Sequence, residues 1–298
     1  MQVTCLGGRG SILGEGPLWD AARGCLWWID IEGRHLHRYD LQDDRHHAQV
    51  MPGRPGFVAL HESGKLVLGI ERHIVLFDPD ANRSVCIAQV DTDQIGNRIN
   101  DGSCDHVGRL WFGTMDDAIA TPVGALYLLG TDGPAAAITG LIASNGPAFS
   151  TDRLWLFHCD TAGRQILRYR LQSDGQLGSG SVFRTFAPQE GWPDGMACDT
   201  DGGLWVCLWG GGCVVRLDQT GAVSARVPVP ATQVTACAFA GPDLDMLFIT
   251  TAAMGLSSSE IAAAPDAGGL FMCRSGWRGQ ASTPMHGMLP TPRRTKRI

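Results

Sequence analysis

The sequence has no apolar run that approaches membrane-spanning length, and its first residues lack the basic and apolar regions of a signal peptide. Its ten cysteines include no Cys-x-x-Cys pair, which excludes the usual zinc-finger and thiol-redox motifs. Most of these cysteines stand inside apolar runs, as small buried side chains do in a reducing compartment. We therefore expect a soluble, cytoplasmic protein without a membrane partner.

An excess of positive charge is also lacking. The chain of 298 residues carries 24 Lys and Arg against 30 Asp and Glu, a net charge of -6. An acidic protein repels phosphate backbones, so nucleic acid is not an expected partner. Four cations stand near the end of the sequence, at Arg293, Arg294, Lys296 and Arg297. We interpret residues 281–298 as a disordered basic tail that follows a single domain over residues 1–280.

A six-residue segment recurs six times, and a turn with an apolar run follows each copy. The copies are residues 15–20 (EGPLWD), 55–60 (PGFVAL), 100–105 (NDGSCD), 145–150 (NGPAFS), 194–199 (DGMACD) and 235–240 (TACAFA). Successive copies are roughly 40 to 50 residues apart, which is the spacing of blades in a β-propeller. The sequence between them is typical of short strands separated by Gly, Asp, Asn and Pro turns.

This repeat predicts an all-β fold, a six-bladed β-propeller whose blades are four-stranded antiparallel sheets. A strand over residues 3–6 precedes the first copy and would close the ring by pairing with the last blade. A β-sandwich with a similar number of strands is the alternative, but it does not explain why the interval recurs. We therefore favour the propeller.

The first position of the repeat keeps presenting an oxygen-bearing side chain, as at Glu15, Asn145 and Asp194. If the ring closes, these three residues face one axis, and two carboxylates with one amide oxygen suit a hard divalent cation. Two like charges in a narrow channel repel each other unless a cation lies between them. The alternative is that these are ordinary turn residues, because Asn-Gly and Asp-Gly pairs are common in turns.

Arg98 and Asn100 stand close to the same expected rim. Arg98 would present a cation with a fork of donors, and Asn100 an amide. Arg98 could instead pair with Asp101 or Asp105 and hold the loop. An insertion over residues 116–122 interrupts the strand pattern and is expected to form a loop over one face.

The chain resembles the SMP-30/gluconolactonase/regucalcin family of six-bladed propellers, and within it the bacterial sugar-acid lactonases. The matching stretches are residues 13–17 (LGEGP), 97–102 (NRINDG), 108–115 (GRLWFGTM), 144–147 (SNGP), 193–195 (PDG), 204–211 (LWVCLWGG) and 267–271 (AGGLF). The resemblance implies one divalent ion held by Glu15, Asn145 and Asp194. It also implies that Arg98 and Asn100 contact the substrate, and that the protein is a monomer or a weak oligomer.

The function that follows is metal-dependent hydrolysis of a sugar lactone, an aldono-1,4- or 1,5-lactone such as xylono- or gluconolactone, to the sugar acid. Asp194 is the expected catalytic base, and calcium, iron(II), zinc, manganese and magnesium all suit the oxygen ligands. The animal branch of the family has a substrate-facing Glu in the insertion loop, where this chain has Asp116 and Asp117. The preferred lactone is therefore left open.

Two other functions are compatible with a propeller. A calcium-dependent arylesterase or phosphotriesterase would need a second calcium and a catalytic histidine near the rim, but the nine histidines avoid the recurring position. A calcium-binding regulator without catalysis would keep the metal ligands and hydrolyse no lactone.

Overall fold

The computed structural model of the chain describes residues 1–7 and 10–287. The fold is all-β and propeller-like, with four four-stranded antiparallel sheets and one sheet of eight strands in this part of the chain. Its described helices are too short or too polar to cross a membrane. Each copy of the repeat lies in the first strand of a successive four-stranded unit, as the sequence predicts.

The first two four-stranded sheets follow one another along the chain. The strands of the first sheet are β2 (Gly14–Asp20), β3 (Cys25–Asp30), β4 (His35–Asp40) and β5 (Arg45–Val50), preceded in sequence by β1 (Thr4–Gly7). The strands of the second sheet are β6 (Pro55–Leu60), β7 (Leu66–Ile70), β8 (His73–Asp78) and β9 (Arg83–Gln89).

The third and fourth sheets repeat this order. The strands of the third sheet are β10 (Asn97–Cys104), β11 (Leu110–Asp116), β12 (Gly124–Gly130) and β13 (Gly133–Leu141). The strands of the fourth sheet are β14 (Ser144–Phe149), β15 (Trp155–Asp160), β16 (Gln165–Leu171) and β17 (Leu177–Thr185).

The eight-stranded sheet contains two units. Its strands in chain order are β18 (Trp192–Cys198), β19 (Leu204–Trp209), β20 (Cys213–Leu217), β21 (Val223–Pro228), β22 (Gln233–Ala240), β23 (Met246–Ala252) and β24 (Leu270–Arg274), together with β1. One residue pair, Trp209 with Gln233, joins the two units. β1 is antiparallel to β24, so the N-terminal strand pairs with the last unit as expected. The helix α1 (Ser258–Ala263) lies between β23 and β24.

The last position of the repeat explains why several copies share an aspartate. Asp20, Asp105 and Asp199 end three of the six copies, and each accepts a hydrogen bond from an indole N–H in the following strand. The donors are Trp27, Trp111 and Trp205, at 3.3, 3.2 and 2.8 Å. A buried indole needs such a partner, so the aspartate and the tryptophan fix the first strand of the unit against the second.

Apolar cores lie between neighbouring units rather than within them. One core packs β3 of the first sheet against β7 of the second, with Trp27 and Leu68 among its members. Another core joins the first unit to the last one and contains Trp28 and Phe248. The first and last units are therefore held together by side-chain packing as well as by the pairing of β1 with β24.

The segment of residues 280–287, here called the C-terminal strap, differs from the expected disordered tail. Met285 is 3% exposed and belongs to the core between the second and third sheets. Its N–H donates to the carbonyl of Leu60 at 2.7 Å, and the carbonyl of Gly108 accepts from the N–H of His286. The predicted boundary at residue 281 is therefore wrong for residues 281–287, because Met285 finds an apolar site on the body. Residues 288–298 of the predicted tail lie outside the described residues.

The strap generates a stability prediction. Met285→Ala should lower the free energy of unfolding by about 2 kcal/mol or more, because it opens a cavity in a packed core. Urea unfolding followed by tryptophan fluorescence measures the change. Ile95→Ala is the control, since Ile95 is 83% exposed and should change stability little. Equal midpoints for the two variants would contradict the packing of the strap.

Candidate active site

The repeated position lies at an irregularity of the innermost strand in every unit. The register with the second strand shifts at Glu15/Leu18, Pro55/Phe57, Ile99/Asp101, Asn145/Ala148, Pro193/Met196 and Val234/Cys237. A bulge turns side chains out of the regular alternation of a strand and is common beside active sites. The strands that carry the six copies of the repeat line one cavity of about 170 Å³, together with residues 280–283 of the C-terminal strap.

Glycine allows the innermost strands to approach each other at these bulges. A Cβ atom on Gly195 would lie 2.5 Å from the Cβ atom of Ala236 on the neighbouring innermost strand. Gly146, which follows Asn145, has a φ of 76°, a conformation that glycine adopts without strain. The glycines that follow Asn145 and Asp194 thus allow the backbone conformation at the first bulge and the close approach of strands at the second.

Hydrogen bonds connect three of the predicted site residues. Arg98 Nη1 donates to Asn100 Oδ1 at 2.7 Å, and Asn100 Nδ2 donates to Asn145 Oδ1 at 2.7 Å. Asn145 Nδ2 in turn donates to Thr161 Oγ1, and this hydroxyl donates to the carbonyl of Pro193, the residue before Asp194. The chain of contacts therefore runs from β10 through β14 to β18.

The buried carboxylates of the predicted site repel one another. Burial raises the pKa of Glu15 well above its ordinary value, and the negative charges of Asp194 and Asp101 add to this. Burial and Asp101 likewise raise the pKa of Asp194, although Arg98 partly offsets this increase. Such a site gains stability from a positive charge between the carboxylates.

Asp101 is a site residue that the sequence reasoning missed. Its carboxylate accepts the N–H of Gly146 at 2.8 Å and the N–H of Gly102 at 2.7 Å, so it joins β10 to the bulge of β14. Burial raises its pKa to about 7. The residue follows Asn100 directly, at the point where the register of β10 with β11 shifts, and it is Asp101 that lines the cavity. Because Asp101 is not at the first position of the repeat, the comparison of repeat copies could not identify it as a site residue.

The predicted substrate residues have defined partners. Arg98 forms an ion pair with Asp117 of the insertion loop at 3.2 Å, and not with Asp101 or Asp105. Asp105 pairs with Arg109 instead. Asn100 Nδ2 donates hydrogen bonds to the carbonyl of Ser144 and to Asn145 Oδ1, which fixes the orientation of the Asn100 amide. Asn100 is therefore placed to hold Asn145, while Arg98 retains Nη2 without a hydrogen-bond partner in the described part of the chain.

The predicted metal ligands are oxygen donors of mixed type. Among residues 1–7 and 10–287, no group of three or more His, Cys, Asp and Glu side chains is arranged to hold a metal ion. The predicted set of ligands consists of two carboxylates, Glu15 and Asp194, and the amide oxygen of Asn145. That oxygen accepts a hydrogen bond from Asn100 Nδ2 at 2.7 Å, which fixes the orientation of the amide.

These features define a propeller-like protein with a cluster of buried carboxylates and amides on the strands that line one cavity. The chain belongs to the SMP-30/Gluconolactonase/LRE-like family, whose conserved region matches residues 13–253. A 6-deoxy-6-sulfogluconolactonase of Pseudomonas putida is 35% identical, over 91% of this chain and 94% of that protein. A pentonolactonase of Haloferax volcanii is 36% identical, over 85% and 86%.

The architecture also matches solved structures. A calcium-binding protein, regucalcin, of Agrobacterium tumefaciens superposes with a TM-score of 0.91 at 30% identity, over 95% of this chain and 96% of that one. The resemblance seen in the sequence motifs is thus confirmed at the level of the family.

A buried histidine beneath the site generates a pH prediction. His158 is fully buried, its Nε2 contacts Ser144 Oγ at 2.9 Å, and burial lowers its pKa to about 4. The unfolded chain binds a proton below about pH 6.5 and the folded chain does not until about pH 4, so stability falls as the pH falls through this window. The total loss of unfolding free energy that His158 causes across this window is on the order of 3 kcal/mol.

Replacing this histidine should therefore flatten the dependence of stability on pH. We expect the loss of unfolding free energy between pH 6.5 and 4 to be smaller in His158→Gln than in the unmodified protein, as measured by urea unfolding at each pH. His47→Gln, at an exposed histidine, serves as the control. An identical slope in both variants would show that His158 binds its proton in the folded state as readily as in the unfolded one.

Proposed function

We propose that this protein hydrolyses sugar lactones to sugar acids, with one divalent cation held by Glu15, Asn145 and Asp194. The observation that carries the proposal is the proximity of two buried carboxylates, whose negative charges act on each other, and the fixed amide oxygen of Asn145 on a neighbouring strand. Relatives that match most of the chain are named as lactonases of sugar acids, which supports the class of substrate.

The donor set fits a hard divalent cation. Carboxylate and amide oxygens suit calcium, magnesium, manganese, iron(II) and, with water completing the shell, zinc. Burial, with the negative charges nearby, raises the pKa values of Glu15 and Asp194, and a bound cation would favour the ionised form of both carboxylates. When bound, such an ion supplies positive charge for the oxyanion formed in ester hydrolysis.

The other catalytic and binding roles belong to side chains of the protein. Asp194 accepts the proton of the attacking water, a role supported by the proximity of its carboxylate to that of Glu15. Arg98 binds the lactone through Nη2 and contributes positive charge beside the carbonyl oxygen. Asn100 orients Asn145 and stands between it and Arg98. Hydrolysis then breaks the ring ester bond and releases an anionic sugar acid.

The site sits in what we infer to be a six-bladed, closed ring within a single domain. The single residue pair between the two halves of the eight-stranded sheet supports counting that sheet as two blades. The core shared by the first and last units supports closure. We further propose a cytoplasmic protein that acts on a small molecule as a monomer or weak oligomer.

One rival function has a specific observation in its favour. The regucalcin that superposes on this chain is described as a calcium-binding protein, which suits a calcium-binding regulator without catalysis. The arylesterase alternative gains no such support, because the hydrogen bonds of the described residues join no histidine to Glu15, Asn145 or Asp194.

The first test of the proposal replaces the expected base. Asp194→Ala should lower kcat for xylono- and gluconolactone hydrolysis by a factor on the order of 1,000 or more, because it removes a ligand and the base together. A pH-indicator assay measures the rate. Asp80→Ala, at a side chain 78% exposed, is the matched control and should keep full activity. Activity close to that of the unmodified protein in Asp194→Ala would refute the assignment.

A second test removes the cation. Chelation should abolish hydrolysis, and adding back single divalent ions should restore it, with calorimetric titration showing one ion per chain. The restoring ions identify the physiological candidates. Tight binding of one calcium ion without hydrolysis of any pentono- or hexonolactone would favour the regulator. Undiminished hydrolysis in the chelated protein would rule out metal dependence.

A further inference from the structure

The insertion loop carries two consecutive aspartates whose surroundings differ completely. The carboxylate of Asp116 accepts hydrogen bonds from the backbone N–H groups of Ala118, Ala120 and Thr121, so it folds the loop on itself. The carboxylate of Asp117 contacts two arginines from other parts of the fold. Asp117 is therefore the residue through which the loop acts on the site.

Asp117 is the acidic partner of a nearly buried cation. The side chain of Arg98 is 7% exposed, and its Nε donates to Asp117 Oδ1 at 3.2 Å. In the described part of the chain, no other carboxylate lies within ion-pair distance of Arg98. A buried charge whose partner is removed is strongly destabilised in its position, so the guanidinium would turn away without Asp117.

Arg54 holds Asp117 in place. Its Nη1 and Nη2 contact the two carboxylate oxygens of Asp117 at 2.9 and 3.1 Å, a bidentate pairing with a preferred geometry. Arg54 is itself fixed by Glu71 at 3.2 Å and by Glu32 at 3.3 Å. The position of Asp117 is thus set by the second sheet and not only by its own loop.

The contacts continue into the predicted ligands. Arg98 donates to Asn100, and Asn100 donates to Asn145, so a displacement of Arg98 would release the amide that orients Asn145. Asp117 stands at the outer end of this series, with 43% of its side chain exposed. Its carboxylate oxygens already accept from three guanidinium N–H groups, which leaves little capacity for a substrate hydroxyl.

We propose that Asp117, anchored by Arg54, is a positioning residue that orients Arg98 toward the lactone and is not itself a substrate contact. This inference rests on the proposed function. It predicts that the insertion loop affects substrate preference by setting the orientation of the Arg98 guanidinium.

A double-mutant cycle tests the proposal. Asp117→Ala should raise the KM for the preferred lactone about tenfold while kcat changes less. In an Arg98→Met background the same substitution should have no further effect, because the residue through which it acts is gone. Asp43→Ala, in an exposed Asp–Arg pair, is the control and should leave both constants unchanged.

A second readout is independent of activity and of metal. The Nε–Hε signal of Arg98 in a proton–nitrogen NMR spectrum is assigned by its loss in Arg98→Met, and it should shift or broaden in Asp117→Ala. Asp117→Asn, which keeps the shape and removes the charge, replaces the alanine variant if that variant does not fold.

The outcomes separate this proposal from the proposed function. Additive effects of Asp117→Ala and Arg98→Met, or an unchanged Arg98 signal, would overturn the positioning role while leaving lactone hydrolysis intact. Failure of the unmodified protein to hydrolyse any lactone would overturn the proposed function, and a displaced Arg98 signal in Asp117→Ala would then still show that Asp117 positions the Arg98 guanidinium.

Discussion

The burial of three neighbouring carboxylates is the constraint on which the rest of the site depends. Glu15, Asp101 and Asp194 come from three different units, and burial raises the pKa of each, with nearby negative charges adding to the increase at Glu15 and Asp194. A fold tolerates such a cluster only when backbone donors, a cation or both compensate for it. In the protein itself, the backbone N–H groups that donate to Asp101 and the positive charge of Arg98 compensate for the buried negative charge.

The surrounding structure holds these groups against their repulsion. Tight packing at Gly195 and the left-handed backbone of Gly146 place the bulges, and the Asp–Trp hydrogen bonds fix the innermost strands to their neighbours. The amides of Asn100 and Asn145 and the hydroxyl of Thr161 then tie one strand to the next. The site is thus preorganised by polar contacts between units, while the apolar cores between units supply stability.

Much of the fold could be predicted from the sequence because the repeat combines a turn, an apolar run and a recurring oxygen at one spacing. The location of Glu15, Asn145 and Asp194 at equivalent bulges follows from that register. The roles of Asp101 and Asp117 do not follow, since they depend on contacts with Gly146 and Arg54, which are distant in sequence. Met285 was interpreted as part of a tail because a single apolar residue carries no periodic signal.

The pairing of β1 with β24 has a consequence for biosynthesis. Thr4 is made long before its partner Met272, because the two residues are far apart in the sequence. β1 therefore remains unpaired until β24 has been synthesised, and contacts of such long sequence separation form slowly. The pairing of these two strands is thereby a late event, and a nascent chain halted before β24 would expose the unpaired edge of β1 to chaperones and to other nascent chains.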